Sequence, residues 1–177
     1  VETVCEPDGF IGLLVFVYTT SRFLLLSTAF IPPDGNKSKA SHVHGVPLDA
    51  AQLAFIETEL GRDDHDHVFV FVHHVQWWRD SSYWWKSVHP LLQGRKVRAV
   101  FAGDYGPAKY SHVERDGIDY VQVAIETEQD LEHLRINDAS RLLSSQLDVY
   151  AQVTVAGNEV RIDIRTLGAT SSDRFTP

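Results

Sequence analysis

The chain has 177 residues, 44% hydrophobic and 23% charged, enough for one domain with a sizeable core. A formal net charge of −8 sets the average surface against nucleic acid and anionic membranes. Cys5 is the single cysteine, so an internal disulfide is excluded, and no apolar run reaches the roughly 18 residues of a membrane-spanning helix.

The start at Val1 rather than Met reads as a processed product or a fragment, and the compartment stays undetermined, with a secreted or periplasmic location open. Residues 12–29 hold two strand-like runs, LLVFVY and RFLLLST, separated by Thr19-Thr20-Ser21. They predict a hairpin whose second strand is the more buried. Residues 31–46 carry two prolines and two glycines and predict a long loop. Leu48, Leu53, Phe55, Ile56 and Leu60 fall near helical spacing, with Asp49 at the start and Gly61 as terminator. An amphipathic helix is expected there, followed by a charged turn, GRDDHDH.

Val68–Val72 and Val97–Ala102 are short Val- and Phe-rich runs bounded by polar or glycine residues, the pattern of strands buried on both faces. Between them lie all four tryptophans, Trp77, Trp78, Trp84 and Trp85. Pro90 requires any helix in this crossover to be short or broken. Asp116-Gly117 predicts a type I′ hairpin turn, and Tyr120–Ile125 predicts a strand. Helix is expected in 128–146, and another hairpin, DVYAQVTV and EVRIDIR, turns at Ala156-Gly157-Asn158. The tail 168–177 is small and polar and is expected to be loose. The whole reads as one domain, residues 1–177, of α/β class: a mixed β-sheet with flanking helices.

Chemistry is expected at the carboxyl ends of the buried strands, where open α/β sheets bind ligands. His73-His74 follows the first and Gly103-Asp104 the second. The histidines read either as a metal ligand and its neighbour or as a structural pair bonded to backbone. Asp104 reads either as a ligand, or as an acceptor that orients a histidine, or as a turn residue. The pairs His42/His44 and His65/His67 could each face one metal from an extended segment, but their polar surroundings favour solvated loop histidines. The tryptophans read as packing residues or, for Trp77 and Trp78, as a substrate-facing wall.

Taken in order, RFLLLSTAF, LDAAQLAFIETEL, VFVFVHHVQWW, VHPLLQGRKVRAVFAGDYG and DGIDYVQVA resemble the second half of calcineurin-like metallophosphoesterases, over roughly residues 13–125. Gln52, Phe55, Ile56 and Glu57 stand where that family has a Gln-x-x-aromatic-aliphatic-Glu helix core. His73 or His74 stands at its strand-end metal-binding histidine. Its Gly-His-x-His motif reads Gly103-Asp104-Tyr105-Gly106, so Asp104 replaces one ligand and Gly106 removes another. His112 is a candidate to supply the lost imidazole. The resemblance implies half of a four-layer β-sandwich, a divalent metal (Mn, Fe or Zn) and phosphate-ester hydrolysis.

The family's first half carries its remaining ligand motifs, and nothing in the first twelve residues resembles them. The chain by itself is therefore expected to be an incomplete dinuclear hydrolase. A half-sandwich is also expected to leave a sheet face or edge open, to be covered by a missing N-terminal half or another protein chain. The alternative is a non-catalytic structural or partner-binding module, a pseudoenzyme retaining the fold.

Overall fold

A computed structural model describes residues 2–3, 14–28, 47–77, 79–103, 110–123, 149–166 and 172–175. A seven-stranded mixed sheet runs β1 (Glu2–Thr3), β2 (Leu14–Tyr18), β3 (Ser21–Leu26), β4 (His67–Val72), β5 (Val97–Ala102), β7 (Ile118–Val123), β6 (Tyr110–Arg115) in spatial order. Strands β3, β4, β5 and β7 are mutually parallel, and β2 and β6 join as antiparallel hairpin partners. A second sheet of three antiparallel strands has the order β10 (Ser172–Phe175), β9 (Glu159–Thr166), β8 (Val149–Ala156). The α/β class and the mixed sheet are as expected.

The two core strands alternate sides, and both sides are apolar. Val68, Val70 and Val72 of β4 point into one cluster with Ile56 and Leu60 of α1 (Ala50–Leu60) and with Trp84, Val88 and Leu92 of the crossover. Phe69 and Phe71 point the other way, against Val160, Ile162 and Ile164 of β9. The sheet face expected to await another polypeptide is thus covered over β4, β5 and β7 by the chain's own β9. Alternation along EVRIDIR supplies the apolar stripe that does it.

Local signals explain the connections. Asp49 caps α1, its Oδ1 accepting the Gln52 N–H at 2.8 Å. Asp49→Ala should therefore lower stability by about 1 kcal/mol in a urea titration. Gly61 ends the helix in right-handed geometry, and a Cβ there would sit 3.1 Å from the Glu57 carbonyl oxygen. Space, not handedness, selects this glycine. Asp116 and Gly117 adopt φ of 53° and 75°, the left-handed pair that a type I′ turn demands. Their hairpin places β7 two residues earlier than the expected Tyr120–Ile125.

The crossover is short and broken, as Pro90 requires: a π-helical turn (Trp84–Val88) leads into α2 (His89–Leu92), with Pro90 in its first turn. Within the tail, Ser172–Phe175 forms β10 along β9. Backbone pairing to an existing edge needs no apolar side chains, so composition gave no sign of it. The expected loop 31–46 and helix 128–146 lie outside the described residues.

Candidate functional site

Parallel register decides what meets at the carboxyl end of the sheet. Leu26 pairs with Val72, and Val72 with Ala102, so the chain leaves β3, β4 and β5 side by side. Ser27-Thr28, His73-His74 and Gly103 are the residues immediately beyond. His74 is buried at 2% exposure, and Thr28 is fully buried beside it. The His74 backbone N–H donates to Thr28 Oγ1 at 3.0 Å, and His74 Nδ1 lies 2.9 Å from the same oxygen. A hydroxyl oxygen can accept from both donors. The two contacts fix the orientation of the His74 ring against β3.

His73 is exposed, and its ring meets His74 edge-on at 4.5 Å. Behind the strand ends, buried Gln52 of α1 accepts the Ser27 N–H through Oε1 at 2.9 Å, tying helix to strand. Thr28 and this role of Gln52 were not anticipated. A small hydroxyl residue just past an apolar strand, opposite a histidine on the next strand, is the sequence sign that could have shown them.

Asp104 and Trp78 lie outside the described residues. Trp77 does not form a substrate-facing wall. It is 5% exposed, with its ring against Trp84 at 5.7 Å and Tyr120 at 5.2 Å, and its carbonyl accepts the Trp85 Nε1–H at 3.2 Å. An indole this large between helix and sheet stabilises most by burial.

His112 lies on β6, three strands from β4, roughly 14 Å away at the usual strand spacing. Its Nε2 is 2.5 Å from Asp119 Oδ1 on β7. Burial raises the Asp119 carboxyl above its ordinary value, opposed by the His112 bond. His112 thus takes part in a cross-strand pair; Gly106 lies outside the described residues.

His65 and His67, expected to be solvated, are buried. His67 begins β4, accepting from Arg98 Nε at Nδ1 (3.1 Å) and donating from Nε2 to the Gly157 carbonyl (2.8 Å), which fastens the two sheets. His89, unremarked in the sequence, joins Tyr120 Oη (2.6 Å) to Asp116 Oδ2 (2.9 Å). The His89 bond holds Asp116 below the ordinary carboxylate value, and burial pushes the Tyr120 hydroxyl well up.

An open cavity of about 410 Å³ also lies at the carboxyl ends, lined by Phe71, Phe101, Gly103, Val123, Ala151 and Val153. It is apolar and sits between the sheets. Among the described residues, no three His, Cys, Asp or Glu side chains converge as a metal site, and no helix is long and apolar enough to cross a membrane.

The geometry defines a mixed α/β sheet with helices on one face and a smaller sheet on the other. No family model matches the chain, and no curated protein matches it. Among solved structures, that of PhoD is similar, with a TM-score of 0.48 and 13% identity, covering 96% of this chain. The chain spans 42% of the length of PhoD.

Proposed function

We propose that this chain is the C-terminal part of a metal-dependent phosphoesterase, cleaving a phosphate mono- or diester when an N-terminal half completes it. The observation that supports this reading is the convergence of His73-His74 with the carboxyl ends of β3 and β5. There the Thr28 hydroxyl holds the His74 ring in an orientation suited to ligation. Asp104, next along the chain from Gly103, would add an oxygen donor suited to Mn, Fe or Zn.

Two imidazoles are too few donors for a dinuclear centre, and the described residues contain no third. The remaining ligands would have to come from elsewhere, so no hydrolytic step is assigned to these residues. A second reading, a non-catalytic module retaining the fold, draws on the burial of Trp77, Trp84 and Trp85, which commits these rings to packing.

Titration calorimetry with Zn²⁺ and Mn²⁺ separates the two. His73 is exposed, so His73→Ala should leave the fold intact while weakening metal binding at least tenfold, about the loss of one ligand's support. Binding by the wild-type chain that is unchanged in both His73→Ala and His74→Ala would reject the hydrolase reading in favour of the module.

A further inference from the structure

Aromatic rings cross one face of the large sheet in a row, one from each of four neighbouring strands. Phe16 of β2 stacks on Phe23 of β3 at 4.4 Å, Phe23 faces Phe71 of β4 at 6.3 Å, and Phe71 faces Phe101 of β5 at 5.2 Å. The interplanar angles are 4°, 26° and 22°. Offset rings of this kind attract one another beyond the area they bury. The row stops at Phe101. On the next strand Val121 pairs with Phe101, and Val123, two residues on, lines the cavity of about 410 Å³ between the sheets. Phe71 and Phe101 line it too, so the cavity begins where the row of rings ends.

The space is built into the described residues that wall it. Phe71 is the one residue of β4 that is not fully buried. Opposite it the small sheet offers only the methyl of Ala151 and the side chain of Val153. Gly103 completes the wall, and neither handedness nor crowding selects a glycine there. Its φ is not positive, and a Cβ would meet only the Val123 carbonyl oxygen, at an ordinary 3.9 Å. What the missing side chain leaves is room.

We propose that this cavity binds an aryl group, which stacks on Phe101 as the fifth ring of the row. Its volume lies within the range of small-molecule pockets, about 300–1,000 Å³. A flat ring gains stacking there that a saturated ring of the same outline does not. Val72 and Gly103 belong both to the cavity wall and to the strand ends that carry the candidate site, with the exposed His73 next after Val72. A ligand seated in the cavity therefore reaches the histidines. On the hydrolase reading, on which this last step rests, the substrate is an aryl phosphate ester whose ring enters the cavity.

Calorimetry on the full chain, freed of metal by a chelator, should show 2-naphthol binding about two- to tenfold more tightly than decahydro-2-naphthol, its saturated counterpart. Gly103→Val and Ala151→Leu fill the cavity from opposite sheets. Each should weaken naphthol binding about tenfold or more, with an unchanged circular dichroism spectrum. Val155→Leu, on the same face of β8 as Ala151 but outside the cavity wall, should bind as the wild type does. No naphthol binding, equal binding of the saturated alcohol, or folded filling variants that bind like the wild type would overturn the proposal, whatever the metal titration gives. With Mn²⁺ present, 2-naphthyl phosphate should bind more tightly than 2-naphthol. Equal affinities would uphold the aryl site and count against the hydrolase reading alone.

Discussion

Replacing Arg22 with methionine is expected to destabilise the fold by about 3–5 kcal/mol, the cost of leaving a buried charge without its partner. Arg22 is the second residue of β3 and is 2% exposed, pointing to the α1 side of the sheet. One guanidinium nitrogen binds the buried Glu59 carboxylate near the end of α1, and the other reaches Asp64 at 2.6 and 2.8 Å. Without Arg22, Glu59 keeps, among the described residues, Arg62 Nε at 3.3 Å, a half-exposed partner that offsets part of the loss. The lower end of the range is therefore expected, roughly a 6–12 °C fall in melting temperature for a chain of this size.

Two companions test the cause. Arg22→Lys should recover little, since one ammonium cannot bridge both carboxylates. Arg22→Met with Glu59→Leu should recover most, because the stranded charge is gone. A loss below about 1 kcal/mol in Arg22→Met would show that the pair is effectively solvated. The acid limb should change too. The Arg22 hydrogen bond, then that of His65, holds Asp64 below its ordinary 3.8. A depressed folded value stabilises above the unfolded pKa and is lost as pH falls through the folded one. The wild type should thus lose stability below about pH 4 on this account, and Arg22→Met should show less of that loss.

How much of this was legible depends on how far each signal reaches along the chain. The runs at Val68–Val72 and Val97–Ala102 announce buried parallel strands because both faces of each are apolar. Asp116-Gly117 announces its turn because few residue pairs accept two left-handed conformations. These are local facts. Arg22 is bonded to residues 37 and 42 positions away, and His67 to Arg98 and Gly157, 31 and 90 positions away. In sequence both are polar residues beside apolar strands. Nothing local separates a buried, fully bonded histidine in GRDDHDH from a solvated one. The candidate site shows the same division: the strand ends located His73 and His74, while the Thr28 hydroxyl that orients His74 lies 46 residues upstream.

The tryptophan cluster carries the second large expectation, because the sequence left open whether it packs or touches a substrate. Trp84→Ala should destabilise the fold by about 3–5 kcal/mol, through lost burial and the cavity left behind. Trp84 is fully buried within the π-helical turn, its ring edge-on to Trp77 at 5.7 Å and to Tyr120 at 6.3 Å. Backbone at such a turn, followed at once by Pro90, has little freedom to collapse into the space, so the upper half of the range is expected. Lys86, exposed on the same turn, is the control, and Lys86→Ala should stay within about 0.5 kcal/mol. Trp84→Phe keeps an aromatic ring against Tyr120 and should fall between the two. Urea titration followed by circular dichroism measures all three variants. If Trp84→Ala cost no more than Lys86→Ala, the rings would be surface features and a substrate-facing role for the cluster would return. The full loss would leave the exposed His73 and the Thr28-bonded His74, not the tryptophans, as the place to look for a ligand.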